Sequence, residues 1–270
     1  MSRPHSTRYT VAALLLLGLA VMVLVSLGQW QLRRSDERRA ILASIEAGRK
    51  QAPLALTPST PPADMTPWRV AQASGKWLPQ FSVLLDNRNH EGRPGYWLAT
   101  PLLLDAATNR AVLVLRGWLP RVIQGQGEPQ LPATPEGVQT VQGELSVRVP
   151  RMFELWSLSG AETSTLPAAL PVAGGTVPQV QNLPLDAYAR ATGLNFLPTV
   201  LSQGGQADDG LVRDWPQPSV DFQQNTSYAV QWFAFGAIAA IAWLVVLGGA
   251  IRRSRQRVDQ QAQARMRARR

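Results

Sequence analysis

The stretch "LGQWQLRRSDERRA", residues 27–40, joins two kinds of chain. Before it, residues 11–27 (VAALLLLGLAVMVLVSL) hold no charge and no proline; after Trp30 come Arg33, Arg34, Asp36, Glu37, Arg38 and Arg39. With Thr10 and Gly28 the apolar run covers about 28 Å as a helix, close to a hydrocarbon core of about 30 Å. A second run, residues 228–251 (YAVQWFAFGAIAAIAWLVVLGGAI), is interrupted by one strongly polar residue, Gln231. Trp30 closes the first run, and Tyr228 and Trp232 open the second, as aromatics do at a membrane interface. A cleaved signal peptide is the rival reading, since Arg3 and Arg8 precede the first run and Ser26-Leu27-Gly28 is a small-x-small triplet. The run is longer than a typical signal core and a basic segment follows directly, so an uncleaved anchor is expected.

Charge is distributed as a membrane topology requires. The formal net charge is +9, and the two arginines before the first run together with the eight arginines and single Asp259 after the second account for all of it. Residues 29–251 balance, with 17 basic against 17 acidic side chains. Arginines flanking a span are retained in the cytoplasm, which places both termini there and residues from about 30 to 227 outside it. The four arginines after Trp30 oppose this orientation, but the eight-arginine tail outweighs them. No aromatic residue is interleaved with the tail arginines, so nucleic acid is not the expected partner. The tail could also meet anionic lipid. Without cysteine, the chain excludes thiol redox chemistry, cysteine-ligated zinc and iron–sulfur clusters.

Between the runs the hydrophobic period changes twice. Residues 29–50 continue as a helix, with Leu32, Ala40, Ile41 and Ile45 on a partial apolar face. Five prolines in residues 51–67 end it and form an extended linker. Short apolar or alternating runs follow: WRVAQASGKWL (68–78), FSVLLDNR (81–88), YWLATPLLL (96–104), AVLVLRGWLP (111–120) and VQTVQGELSV (138–147), with NFLPTVLSQ (195–203) as one more strand. Residues 183–193 read as a short helix stopped by Gly193, and 150–180 as a long loop. The expected fold class is an α+β membrane protein, two transmembrane helices flanking an antiparallel β-rich extracytoplasmic domain, a small barrel or sandwich. Its expected parts are a cytoplasmic 1–9, a span at 10–28, a juxtamembrane helix and linker at 29–67, a β-domain at 68–227, a span at 228–251 and a basic tail at 252–270.

Catalytic patterns are sparse. The two histidines are His5, in the first tail, and His90, in the turn-rich DNRNHEGRPGYW, read as an exposed loop residue. No Gly-x-Ser-x-Gly elbow accompanies His90, no metal-ligand spacing exists, and GQGEPQ (125–130) lacks the lysine and helix of a phosphate loop. Asp208-Asp209 reads as solvent-facing charge. What stands out is Arg116-Gly117-Trp118-Leu119-Pro120 at the end of the most apolar strand. Glycine there permits a bulge and Pro120 stops the ladder, while Trp118 reads as core. Arg116 needs an acidic partner; Asp86 is the internal candidate, a ligand carboxylate the alternative. Gly95 reads as a turn residue and Thr100-Pro101 as a break in a buried strand.

These residues resemble the surfeit locus protein 1 family of cytochrome c oxidase assembly factors. The similarity runs in order along nearly the whole chain: Gly28-x-Trp30-Gln31-Leu32-x-Arg34 with Arg38, Gly75-x-Trp77, Arg88, Gly95-Tyr96, Thr100-Pro101, Arg116-Gly117-Trp118-x-Pro120, and Tyr228-Ala229-x-Gln231-Trp232-Phe233. The resemblance implies a non-enzymatic chaperone in the bacterial inner membrane. It would assist haem a delivery to the catalytic subunit of cytochrome c oxidase, or stabilise that subunit, alongside the haem a synthesis machinery. It further implies transient haem a contact at Tyr228, Gln231 and Trp232, no metal site, and a partner or structural motif of Trp30, Gln31, Arg34, Arg116, Gly117 and Trp118. One departure matters. Where the family commonly has a histidine, three residues before the tyrosine, this chain has Asn225, and an amide is a poor axial ligand for haem iron. The alternative reading is a membrane-tethered periplasmic scaffold or sensor that binds a protein partner and no cofactor.

Overall fold

The charged residues after Trp30 do not end the first helix. In the computed structural model α1 runs unbroken over Thr7–Lys50, and the last helix, α3, over Gln223–Ala268. The structure describes residues 7–122, 129–152, 166–205 and 208–268. His5, Arg3, Arg269, Arg270, most of GQGEPQ and part of the 150–180 loop lie outside the described residues.

The chain divides into two units, Met1–Leu42 with Pro218–Arg270, and Ala43–Gln217. In the first unit α1 and α3 are each long and apolar enough to cross a membrane, and their apolar windows are only 6% buried. A soluble protein would bury such faces; these leave Leu15, Leu16, Ile238, Ile241 and Val245 exposed, as lipid-facing residues are. The pair makes this a membrane protein. The helices run antiparallel: Trp243 Nε1 donates to the Leu14 carbonyl at 2.9 Å, Gly236 lies beside Leu24 and Val25, and Gly28 faces Phe233. Small residues at such contacts let helix backbones approach without an apolar driving force from lipid.

In the second unit a five-stranded barrel forms from β2 (Val70–Trp77), β4 (Arg93–Asp105), β5 (Arg110–Pro120), β6 (Val138–Ser146) and β8 (Asn195–Gln203). The ring order is β2-β6-β8-β5-β4, closed by pairing of β4 with β2 at Lys76↔Leu103 and Trp77↔Leu102. Closure removes the exposed edges that an open sheet of this size would carry. Three further strands flank the ring: β1 (Leu54–Leu56) on β2, β3 (Val83–His90) on β4, and β7 (Gln179–Val180) on β3. The sheet is mixed rather than wholly antiparallel, because β1–β2, β3–β7 and β5–β8 pair in parallel. Helix α2 (Leu185–Thr192) returns the chain to β8 and ends, as expected, at Gly193 in the left-handed region.

Inside the barrel lie Ala71, Ala73, Leu102, Val112, Val114, Val141, Leu145, Leu197 and Leu201. The alanines of β2 leave room for larger side chains opposite, which a narrow barrel requires. Outside, α2 and the 166–183 segment cover Val83, Leu85, Trp97, Ala99, Leu113, Leu115 and Trp118. The proline-rich stretch is not a free linker: β1 lies within it, and Leu56 and Met65 join the barrel core. On α1, of the expected apolar face only Ile45 is buried, while Leu32 and Ile41 are exposed.

Two proline and glycine expectations are corrected by register. β4 continues through Pro101 because β4 passes there from β3, which ends its pairing at Ala99, to β2, which begins at Leu102. A proline costs a ladder bond only where a neighbouring strand needs its N–H, and Pro101 sits at the handover. Gly95 is mid-strand, not in a turn; the turn is Glu91-Gly92, both at positive φ.

Candidate functional site

In the helical unit, a polar seam closes one end of the α1–α3 contact. Asn225 Nδ2 donates to Gln31 Oε1 at 2.6 Å, and Ser35 Oγ lies 2.9 Å from Thr226 Oγ1. Ser35 is buried, and the Arg39 guanidinium sits 4.8 Å over the Phe222 ring. Helical spacing explains the grouping. Residues 28, 31, 35 and 38 share one face of α1, and 225, 229, 233 and 236 the facing stripe of α3, with Phe222 just before it. Gln31 therefore has a structural partner. Trp30 and Arg34 point away, Trp30 being 50% exposed and Arg34 paired with Glu37 at 3.2 Å.

Tyr228, Gln231 and Trp232 follow at i, i+3 and i+4, so they share a face with Phe235, whose ring meets Trp232 edge-on at 6.3 Å. That face is largely exposed, with Tyr228 at 45%. Asn225 belongs to the neighbouring, α1-facing stripe, its Nδ2 already committed to Gln31 and its buried Oδ1 without a hydrogen-bond partner. The described residues of this unit contain no histidine. Without an imidazole this set lacks the usual axial ligand of haem iron; it offers a ring-edge surface with the Tyr228 phenol exposed on it.

In the barrel unit, cations lie on aromatic rings. The Arg116 guanidinium is 5.0 Å over Trp77, Arg88 is 4.5 Å over Trp97 and Arg121 is 5.5 Å over Tyr96. A ring-to-ring contact is added by His90, whose centroid lies 5.2 Å from that of Trp118. Trp97 in turn meets Trp215 edge-on at 5.2 Å. Register places Arg116. Leu115 pairs with Ala99 and Gly117 with Leu98, so Arg116 is the extra residue of a β-bulge. The insertion shifts the side-chain alternation by one, which is why Leu113, Leu115 and then Trp118 all join the outer core. Gly117 is at φ 156°, and a side chain there would meet Leu211 Cβ at 2.7 Å. Segment 211–212 presses here because Trp118 exchanges backbone hydrogen bonds with Val212 at 2.7 and 2.9 Å.

The expected Arg116–Asp86 pair is absent: Asp86 pairs with Arg121. Arg116, 3% exposed, donates to Thr134 Oγ1 at 3.1 Å. Burial pulls its pKa below the usual value, against the attraction of Asp209, which is itself paired with Arg213. Trp77 lies beneath Arg116, while Trp118 Nε1 donates to the Arg88 carbonyl at 2.8 Å. Asp209 is thus an ion-pair partner rather than free solvent-facing charge. His90 is not an exposed loop residue: it ends β3 with its side chain only 18% exposed. The sequence singled out Arg88 only through the resemblance. Burial lowers its pKa to about 10, still charged at neutral pH, and it donates to the carbonyls of Pro150 and Gln181 at 3.0 Å.

Because among the described residues no carboxylate depends on Arg116 alone, Arg116→Met is expected to keep stability within about 1 kcal/mol, since an apolar chain of similar volume can replace a buried ion without stranding a charge. Thermal unfolding in detergent checks this, and a loss above about 3 kcal/mol, the range for an orphaned buried charge, would show that an acid does depend on it.

Comparison with known proteins turns on one match. A model of the SURF1 family fits residues 18–237, most of the chain. The chain belongs to the SURF1 family. Its similarity to a SURF1-like protein of Rickettsia felis is 33% identity over 98 residues, 36% of this chain and 41% of that protein. The chain thus matches less than half the length of that relative. An uncharacterised SURF1-like protein of Mycobacterium bovis is 25% identical over 241 residues, 85% of this chain and 79% of that one. A yeast relative from Saccharomyces cerevisiae, named cytochrome oxidase assembly protein SHY1, is 31% identical over 95 residues, 34% of this chain and 24% of that one. The SURF1 match takes in both the α1–α3 seam and the Arg116 bulge.

Proposed function

We propose that this SURF1 member is a non-enzymatic assembly factor for cytochrome c oxidase that helps deliver haem a to the catalytic subunit, or holds that subunit while haem enters. The observation that carries the reading is the yeast relative named for cytochrome oxidase assembly, within the family this chain belongs to. Its working partners are the catalytic subunit and the haem a synthesis machinery, met in a bacterial inner membrane with the barrel in the periplasm and both termini in the cytoplasm. The arginine excess at the two ends supports that orientation.

This chain's own residues do the positioning. The antiparallel helices anchor the chain in the bilayer, and the exposed Tyr228–Gln231–Trp232 face offers an apolar and hydrogen-bonding surface at the membrane boundary. Haem contact there is transient, because Asn225 supplies no imidazole and its amide is engaged with Gln31.

Deletion of the gene is expected to lower haem a relative to haem b in membranes and to reduce cytochrome c oxidase activity. Asn225→His is expected to raise the haem that copurifies from cells making haem a. Normal oxidase activity and an unchanged haem a band in the deletion strain would overturn the assembly reading and favour a periplasmic scaffold. Stoichiometric haem a on the native chain would overturn only the argument from Asn225.

A further inference from the structure

The apolar part of α3 ends at Ile251, but the helix does not. Arg252, Arg253, Arg255 and Arg257 follow on its surface, all exposed, with Arg265 and Arg267 further along. The antiparallel register, with Leu14 opposite Trp243, brings exposed Arg8 level with the end of the apolar run. Arg253 folds back one turn, its Nη1 3.4 Å from where a Gly249 side chain would begin. The two glycines at 248 and 249 leave the stem of an arginine free to lie along the helix with its charge at the end of the apolar segment. Among the described residues no ion pair joins any of these arginines to a carboxylate. Asp259 is the one acid in the extension.

We infer that Arg8, Arg252, Arg253, Arg255 and Arg257 form a binding site for the headgroups of anionic phospholipids in the leaflet where α3 leaves the membrane. At about 1.5 Å per residue, Arg252 to Arg257 lie within about 9 Å of the last apolar residue, at headgroup depth. Arg265 and Arg267 lie about 21–24 Å beyond it along the same axis. Surface potential decays over a Debye length of about 8 Å at physiological salt, so the continuous helix divides the arginines into a lipid-binding group and a distal pair outside the field. Each arginine near the surface multiplies the preference for anionic lipid by about fivefold. The inference is independent of the oxidase reading, since lipid binding is its only readout.

The test is native mass spectrometry of the full chain, released from neutral detergent with equal amounts of phosphatidylglycerol and phosphatidylcholine. The native chain is expected to retain phosphatidylglycerol at least about tenfold over phosphatidylcholine. The fourfold variant Arg252→Gln, Arg253→Gln, Arg255→Gln, Arg257→Gln is expected to lose that preference, and Arg265→Gln with Arg267→Gln to keep it. Equal unfolding temperatures of the three proteins exclude misfolding as the cause. Equal retention of the two lipids by the native chain overturns the site. A preference lost only with the distal pair overturns it as well, because the helix would then lie along the membrane rather than project from it.

Discussion

Gly95→Val is expected to leave almost no folded barrel. A Cβ at this position would meet the Leu119 carbonyl oxygen at 2.3 Å and the Trp118 ring at 2.4 Å. Neither can retreat. Leu119 is held in the β4–β5 ladder opposite Tyr96, and Trp118 is pinned by its bond to the Arg88 carbonyl and by the His90 ring. Ordinary overpacking costs about 1–3 kcal/mol because side chains can give way. Here a backbone carbonyl and a buried indole must both move, so a cost above about 4 kcal/mol is expected, a large part of the stability of any domain. Membranes should contain little full-length protein, and the remainder should lack a cooperative tryptophan fluorescence transition. Gly92→Ala is the matching control. Gly92 also departs from ordinary backbone, at φ 77°, but has open space around it, so only about 1 kcal/mol of strain is expected. Near-native unfolding of Gly95→Val would mean that β4 and β5 are not packed as described.

Tyr188→Ala is expected to detach α2 from the barrel, at about 3–5 kcal/mol. Tyr188 is fully buried in the outer core, its ring stacked on Phe196 at 5.2 Å, and its hydroxyl donates to the Phe81 carbonyl. Burial drives its pKa well above the usual phenol value, so the side chain remains a neutral donor across the working range. Tyr188→Phe keeps the ring and loses one hydrogen bond, for an expected cost of about 1 kcal/mol. Chemical unfolding of the two variants separates packing from hydrogen bonding, and equal losses would place the weight on the hydroxyl instead.

Tyr188 also shows where reading the sequence stops. Residues 183–193 are legible as a helix with a glycine stop, because apolar period and capping are local properties. Nothing local says that this tyrosine reaches a carbonyl 107 positions earlier. Asn225 gives the same lesson in the helical unit. Its departure from the family pattern is visible in the sequence, yet its bond to Gln31, 194 positions away, follows from how two helices meet.

Composition and period alone determined the two spans, the basic ends and a strand-rich middle, since each depends on residues within one turn or one strand of each other. Pairing decided the rest. The closed ring, the parallel β5–β8 pair and the place of Pro101 are matters of register between distant strands, where a shift of one residue reverses every side chain. Arg116 is the clearest case. Its charge and its strand were readable, and Asp86 was the natural partner by type. Arg116 continues the alternation of Val112 and Val114 onto Trp77, and Asp86 pairs with Arg121. An ion pair is chosen by which side chains the fold brings within reach, and residue type alone does not reveal that.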